Sequence, residues 1–322
     1  MRILTGIAKQ RESMLLAIVL GVFVSISFIS PFFLTSDNLL AVLLSISIEA
    51  IIAVAMTMLL VSGGFDLSVG SVVALAGCVS VMLCKVPGMP LVLGILGGIA
   101  VGGLIGLFNG WIITKLGINP FITTLSGLSL FRGLTIILMD GKNISGVPEA
   151  YKFLGQGYLL GVQMPIWYAI AFIIVGAILL KKSRFFRQNY YIGGNAKSAM
   201  LSGIKVDKVI MFNYVLSGLS AAFAGVVMSS RVAAATTTIG TGLELRVVTA
   251  VIIGGASLAG GEGTVLGTFL GCVLMGLINN FVVLAGIDVY WQTFISGAIL
   301  LSAVVVDRGG KIRREKNALK AE

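Results

Sequence analysis

The chain has no histidine among its 322 residues, and only 11% of them carry a charge. The missing histidine removes the commonest general base and the commonest transition-metal ligand. Soluble domains devote roughly a quarter of their residues to charge, so a water-soluble enzyme is the first class excluded. Cysteine is scarce as well. Cys78, Cys84 and Cys272 lie in or beside apolar stretches and make neither a disulfide framework nor a zinc pattern. A phosphate-binding loop is also lacking: Gly141-Lys142 runs into Asn143 and Gly310-Lys311 into Ile312, so neither offers the hydroxyl that would hold magnesium. No cofactor and no metal are expected on this chain.

What fills the chain instead is apolar. Hydrophobic residues make up 57%, and mean hydropathy is +1.04. A membrane-spanning helix takes about 20 apolar residues, each adding 1.5 Å across a core of about 30 Å. Ten such stretches are read at about 14–30, 38–61, 67–84, 90–114, 119–139, 163–180, 209–229, 244–259, 264–285 and 289–306. The expected fold is therefore an all-α polytopic membrane protein, with residues 1–322 forming a single transmembrane domain. A cleavable signal peptide is the competing reading of the first stretch, but removing it would leave nine spans and spoil the charge parity.

Ten spans put both termini on one side. That side then holds Arg2, Lys9, Arg11, Lys115, Lys181, Lys182, Arg184, Arg187, Lys197, Lys205, Lys208, Arg308, Lys311, Arg313, Arg314, Lys316 and Lys320, 17 of the 23 basic residues. Lys85, Lys142, Lys152, Arg231 and Arg246 fall on the other side, and Arg132 lies inside a span. Lysine and arginine accumulate on the cytoplasmic face of membrane proteins, so residues 1–12 and the basic tail 307–322 are expected in the cytoplasm. The net charge of +10 is thus a topology signal; membrane lipid is its partner and nucleic acid is not needed.

The sequence also repeats. Gly64-Phe65-Asp66-Leu67-Ser68-Val69-Gly70-Ser71 opens the third stretch, and Gly242-Leu243-Glu244-Leu245-Arg246-Val247-Val248-Thr249 opens the eighth in the same register. Gly106-Leu107-Phe108-Asn109 and Gly276-Leu277-Ile278-Asn279 match in the fourth and ninth. Equivalent helices five apart cross the membrane in opposite directions, giving inverted halves at about 14–139 and 163–306. That is a transporter architecture, with the substrate path between the halves and broken helices beside it. The 42 glycines include the small-residue spacings Gly98/Gly102, Gly102/Gly106 and Gly267/Gly271, which let helix backbones approach closely.

The longest cytoplasmic connection, 181–208, opens with a basic run that suffices as a headgroup anchor. Beyond it, Asn195 can cap a helix over Ala196–Leu201, and Gly203 can end it. Two turns are too short to be stable alone, so this helix needs a partner surface. With no phosphate loop here, any ATP hydrolysis must occur on another chain.

Four segments carry a family resemblance. They are Gly63–Ser71, Tyr191–Asn195 continuing to Leu201–Ile204, Gly254–Gly261 and Gly276–Asn280. Across roughly 15–307 the chain resembles the permease subunits of ribose-type carbohydrate ABC importers. Branched-chain amino-acid permeases typically carry an N-F-A-H-G stretch where this chain has Phe65-Asp66-Leu67-Ser68-Val69-Gly70, which favours a sugar. The resemblance implies a bacterial inner-membrane protein paired with a second, identical or paralogous permease. A tandem ATPase subunit would bind ATP and Mg below, and a periplasmic sugar-binding protein would dock above. It implies a fold similar to vitamin-B12-type importers. It also makes the loop bearing Gly193, Gly194, Asn195, Lys197, Ser198, Ala199, Leu201, Ser202 and Gly203 the ATPase-coupling loop.

Ionisable side chains at bilayer depth are costly unless paired or wet, which makes each a functional candidate. Glu49 sits midway along the second stretch and Arg132 about two-thirds along the fifth. One or both are expected to face the bundle interior; a mutual ion pair is one arrangement, and snorkelling of Arg132 to the headgroups is another. Asn109, Asn279 and Asn280 suit sugar hydroxyls or interhelical hydrogen bonds. Asp66 and Ser68 stand where they can cap the third helix, as Glu244 does at the eighth. These eight residues form the candidate translocation path. The 140–161 loop faces the periplasm. A gradient-driven secondary transporter is the alternative function, but it would want carboxylates or histidines in its core.

Overall fold

The computed structural model describes the backbone of residues 2–288 and 290–319, and the side chains of 11–288, 290–305 and 309. Lys320 lies outside the described residues, as do the side chains of Arg2, Lys9, Arg308, Lys311, Arg313, Arg314 and Lys316. Each of the ten apolar stretches falls on a helix. In chain order these are α1 (Arg2–Ile29), α2 (Ser36–Val61), α3 (Val69–Cys84), α4 (Leu91–Lys115) and α5 (Pro120–Leu138), then α7 (Met164–Lys182), α10 (Val206–Val232), α11 (Leu243–Ile253), α12 (Val265–Leu284) and α13 (Tyr290–Leu319). Between them stand α6 (Glu149–Gln156), α8 (Arg184–Gly194) and α9 (Ala196–Leu201). Seven helices among the described residues are long and apolar enough to cross a membrane; α3 and the Tyr290–Val305 part of α13 are shorter apolar helices.

Three expectations needed adjustment. The eighth stretch stops as a helix at Ile253, because Gly255, Gly260 and Gly261 take φ of 94°, 83° and 78°, which turn the chain out of the helix. The basic run expected as a plain anchor is itself helical, opening α8. Helix α13 continues past residue 306 into the tail. The 140–161 loop is also built rather than open. Strand β1 (Ile144–Ser145) pairs antiparallel with β4 (Ala234–Ala235), and β2 (Tyr158–Leu159) pairs with β3 (Val162–Gln163).

Packing follows the repeat. Helix α4 lies against α10 as α12 lies against α2, and α3 contacts α4 and α10 as α11 contacts α12 and α2. Likewise α5 rests on α3 and α13 on α11. Each pair becomes the other by moving five apolar helices along the chain. The first helix of each half breaks the rule, since α1 packs on α12 while α7 packs on α2.

Burial separates central helices from peripheral ones. Within its apolar window α2 is 72% buried and α4 only 28%, so α4 turns Leu104, Leu107, Phe108 and Trp111 outward. Its inner face is mostly glycine: Gly94, Gly98, Gly102, Gly106 and Gly110 are all buried. A Cβ on Gly102 would come within 2.2 Å of the Gly218 carbonyl oxygen, and one on Gly218 within 2.0 Å of the Gly102 oxygen. Inside lipid, where tails are as apolar as leucine, this close van der Waals contact is what holds helices together.

Candidate functional site

Two short helices start below the surface of the bundle. At 1.5 Å per residue α3 is about 24 Å long and α11 about 16 Å, both short of a bilayer core of about 30 Å. The residues at their starts are buried in the bundle: Asp66, Ser68 and Val69 at α3, Leu243 and Glu244 at α11. At the start of α3, Asp66 Oδ1 accepts from the Ser68 N–H at 2.9 Å and the Ser68 hydroxyl at 2.6 Å. Its other oxygen accepts from Ser217 of α10 at 3.1 Å. Asn109 of α4 donates to Ser68 Oγ at 3.0 Å, leaving its own carbonyl oxygen unpartnered. All four residues are buried. The expected capping is not formed: Ser68 stands at the N-cap of α3 without a side-chain cap bond, and Asp66 instead bridges the turn that ends in Ser68. At α11 the N-cap is Gly242, so Glu244 does not cap that helix either.

At the start of α11 the residues are charged. Arg246 donates Nε to Glu49 of α2 at 3.0 Å, and Glu49 is enclosed with its second oxygen unpartnered. Glu244 is buried, its Oε2 also unpartnered, against the first turn of α3: a Cβ on Gly70 would lie 2.1 Å from that oxygen. Arg132 of α5 donates to the carbonyl oxygens of Thr237 and Ile239 at 2.8 Å each, and to that of Gly70 at 3.2 Å. One guanidinium therefore ties α5 both to the start of α3 and to the loop entering α11, a task suited to its fork of donors. The Glu49–Arg132 pair considered from sequence is not formed; Arg246, 197 residues from Glu49, takes that place.

Asn279 keeps a buried, unpartnered carbonyl oxygen. Asn280 is tied up with Asn38, donating at 2.7 Å and accepting at 3.2 Å. Sequence reasoning passed over Arg246 and Ser217 as site residues. A cation between Leu245 and Val247 in an apolar helix was the available signal for the first; a serine in a membrane helix gave none for the second.

The basic end of the bundle carries the α8–α9 loop. Asn195 accepts from the Ser198 N–H at 3.0 Å, capping α9 as expected, and Gly203 ends it with φ of 85°. Ala199 is buried with Ile192, Val206 and Val209, while Lys197, Ser198, Leu201 and Ser202 are exposed. Leu201 is 90% exposed and Met200 60%, an apolar tip on a six-residue helix. Behind it Tyr190 donates to the Gly263 carbonyl oxygen at 2.8 Å; burial and the nearby Glu12 carboxylate push its phenol up to about 12. Gly193 lies on Val61 and Gly261, whereas Gly194 faces open space.

The opposite end is closed by α6. Tyr151 is fully buried and donates to the Val226 carbonyl oxygen at 3.3 Å, and burial raises its phenol above the usual range. Ser230 donates to the Tyr151 carbonyl oxygen at 2.6 Å and accepts from the Gly155 N–H at 2.7 Å. Lys85 reaches the Ser145 carbonyl oxygen at 2.7 Å.

A family model described as branched-chain amino acid transport system / permease component matches residues 38–304, from α2 into α13. The chain belongs to this permease family. The permease is 40% identical to the ribose import permease protein RbsC of Bacillus subtilis over 90% of its own length and 91% of the relative's. It is 37% identical to the Haemophilus influenzae protein of the same name, over 93% of each chain. The L-arabinose ABC transporter permease protein AraH of Azospirillum brasilense is also 37% identical, over 96% of the permease and 90% of that protein. No solved structure matches the permease.

Proposed function

We propose that this permease is the membrane-spanning subunit of an ATP-driven importer for a simple sugar, forming the path by alternating access. The observation that carries the reading is identity of 36–40% with ribose import permeases across about nine-tenths of both chains. Ten spans in two inverted five-helix halves, similar to vitamin-B12-type importers, is the topology on this reading; the matched packing of α4 on α10 and α12 on α2 supports it. Both termini then lie in the cytoplasm of a bacterial inner membrane, with α9 facing the ATPase and α6 the periplasm. A second permease, a tandem ATPase holding ATP and Mg, and a periplasmic sugar-binding protein complete the machine. On this reading the path between the halves passes the starts of α3 and α11, with Asp66, Ser68, Asn109, Glu49, Arg132 and Glu244, and Asn279 lines it farther along α12. Asn280 is nearer to a structural tie.

The exposed tip of α9 supplies the test. Leu201→Asp puts a charge on an apolar tip whose only expected use is docking, and Asn195→Ala removes a helix cap at a cost of about 1 kcal/mol. Co-purification of the ATPase subunit with the permease is expected to be lost for Leu201→Asp and weakened for Asn195→Ala. Full retention of the ATPase by both variants would remove α9 from the interface.

A further inference from the structure

Three stretches of backbone cross at the basic end without side chains between them. A Cβ on Gly193 would fall 2.0 Å from the Val61 carbonyl oxygen and 2.4 Å from the Gly261 nitrogen. One on Gly260, which has φ of 83°, would fall 2.8 Å from Gly193 Cα and 3.0 Å from Gly63 Cα. Gly194, the next residue, would meet nothing within 4 Å, so the crowding belongs to the crossing and not to α8 in general. The crossing is also bonded. Gly261 donates its N–H to the Val61 carbonyl oxygen at 2.8 Å, and Tyr190 donates to the Gly263 oxygen at 2.8 Å. Asn213 of α10 donates to Asn189 of α8 at 2.9 Å and to Ser62 at 3.2 Å.

The segments that meet here lead to both candidate regions. Val61–Gly63 runs within a few residues to Asp66 and Ser68 at the start of α3, and Gly260–Gly261 belongs to the connection between α11 and α12. On the other side α8 passes through the single residue Asn195 into α9. Side chains can absorb a displacement by changing rotamer, but backbone packed on backbone passes it on.

We propose that the Gly193 crossing is the joint through which displacement of α9 reaches the start of α3 and the α11–α12 connection together. Gly193 and Gly260 are then positioning residues for coupling. The proposal rests on the importer reading given above.

The test reads sugar uptake per ATP hydrolysed in vesicles containing the permease, its ATPase subunit and its binding protein. Gly193→Ala is expected to assemble and hydrolyse ATP while uptake per ATP falls at least ten-fold. Gly21→Ala, at a position in α1 where a Cβ meets nothing within 4 Å, is expected within two-fold of the unsubstituted protein. If Gly193→Ala fails to assemble, Tyr190→Phe, which deletes one bond of the crossing, is read in its place with at least a two-fold fall expected. An unchanged ratio, or uptake and hydrolysis declining in proportion as a purely structural lesion would give, overturns the joint. Unsubstituted complexes that hydrolyse ATP without importing any sugar overturn the importer reading itself, and the joint falls with it.

Discussion

The starts of α3 and α11 occupy the same register of the internal repeat, yet they are held by different chemistry. At α3 a carboxylate is satisfied by neighbours with short, neutral donors: Ser68 two residues on, and Ser217 from the adjoining helix. At α11 the serine of that register is replaced by Arg246, which reaches across to Glu49, and two buried carboxylate oxygens stay unpartnered. Losing one neutral hydroxyl among several donors costs about 1 kcal/mol. A buried charge depends on its distant partner, because removing that partner strands an ion in a low-dielectric interior. Both starts are fastened to other helices: the Asp66 turn of α3 by neutral partners, Ser217 of α10 and Asn109 of α4, and α11 by the ion pair of Arg246 with Glu49, with Arg132 bonded to both.

This contrast fixes an order of effects. Arg246→Ala strands Glu49 and is expected to cost about 3–5 kcal/mol. Thermal denaturation of the detergent-solubilised protein would show it, and adding Glu49→Ala should restore part of the loss; strictly additive penalties would break the pairing. Arg132→Lys keeps the charge but cannot hold three carbonyls in a fork, so about 2 kcal/mol is expected, together with reduced uptake. Ser217→Ala removes one of three donors to Asp66 and should cost about 1 kcal/mol with uptake nearly unchanged. If Ser217→Ala matched Arg246→Ala in either measurement, the two starts would not differ as described.

Local features were legible in the sequence because their causes are local. The apolar runs fall on helices, Asn195 caps α9, Gly203 ends it, and the repeated Gly-x-acid-Leu segments both open short helices. The small-residue spacings Gly98/Gly102 and Gly102/Gly106 pointed to close helix packing, although glycine is common in membrane helices without it, and the contact with α10 bears them out. Long-range pairing was not legible. Glu49 and Arg246 are 197 residues apart, and nothing in periodicity distinguishes Arg246 from Arg132 as the partner. The end of α11 was misjudged because 254–259 is apolar enough to continue a span while Gly255 and the glycines after it turn the chain. Helix α8 was missed because a basic run already had a sufficient explanation. The crossing at Gly193 joins residues far apart in sequence and so left no local signal, although the segments that meet there were among those carrying the family resemblance.

The most direct measurement of the central claim is uptake of labelled ribose or arabinose into vesicles holding the permease, its ATPase subunit and the sugar-binding protein. With ATP available to the ATPase, at least one of these sugars is expected to accumulate, and an ionophore that collapses proton and sodium gradients should leave that uptake intact. Accumulation that needs no ATP and disappears with the ionophore would contradict the account and make this chain a gradient-driven carrier.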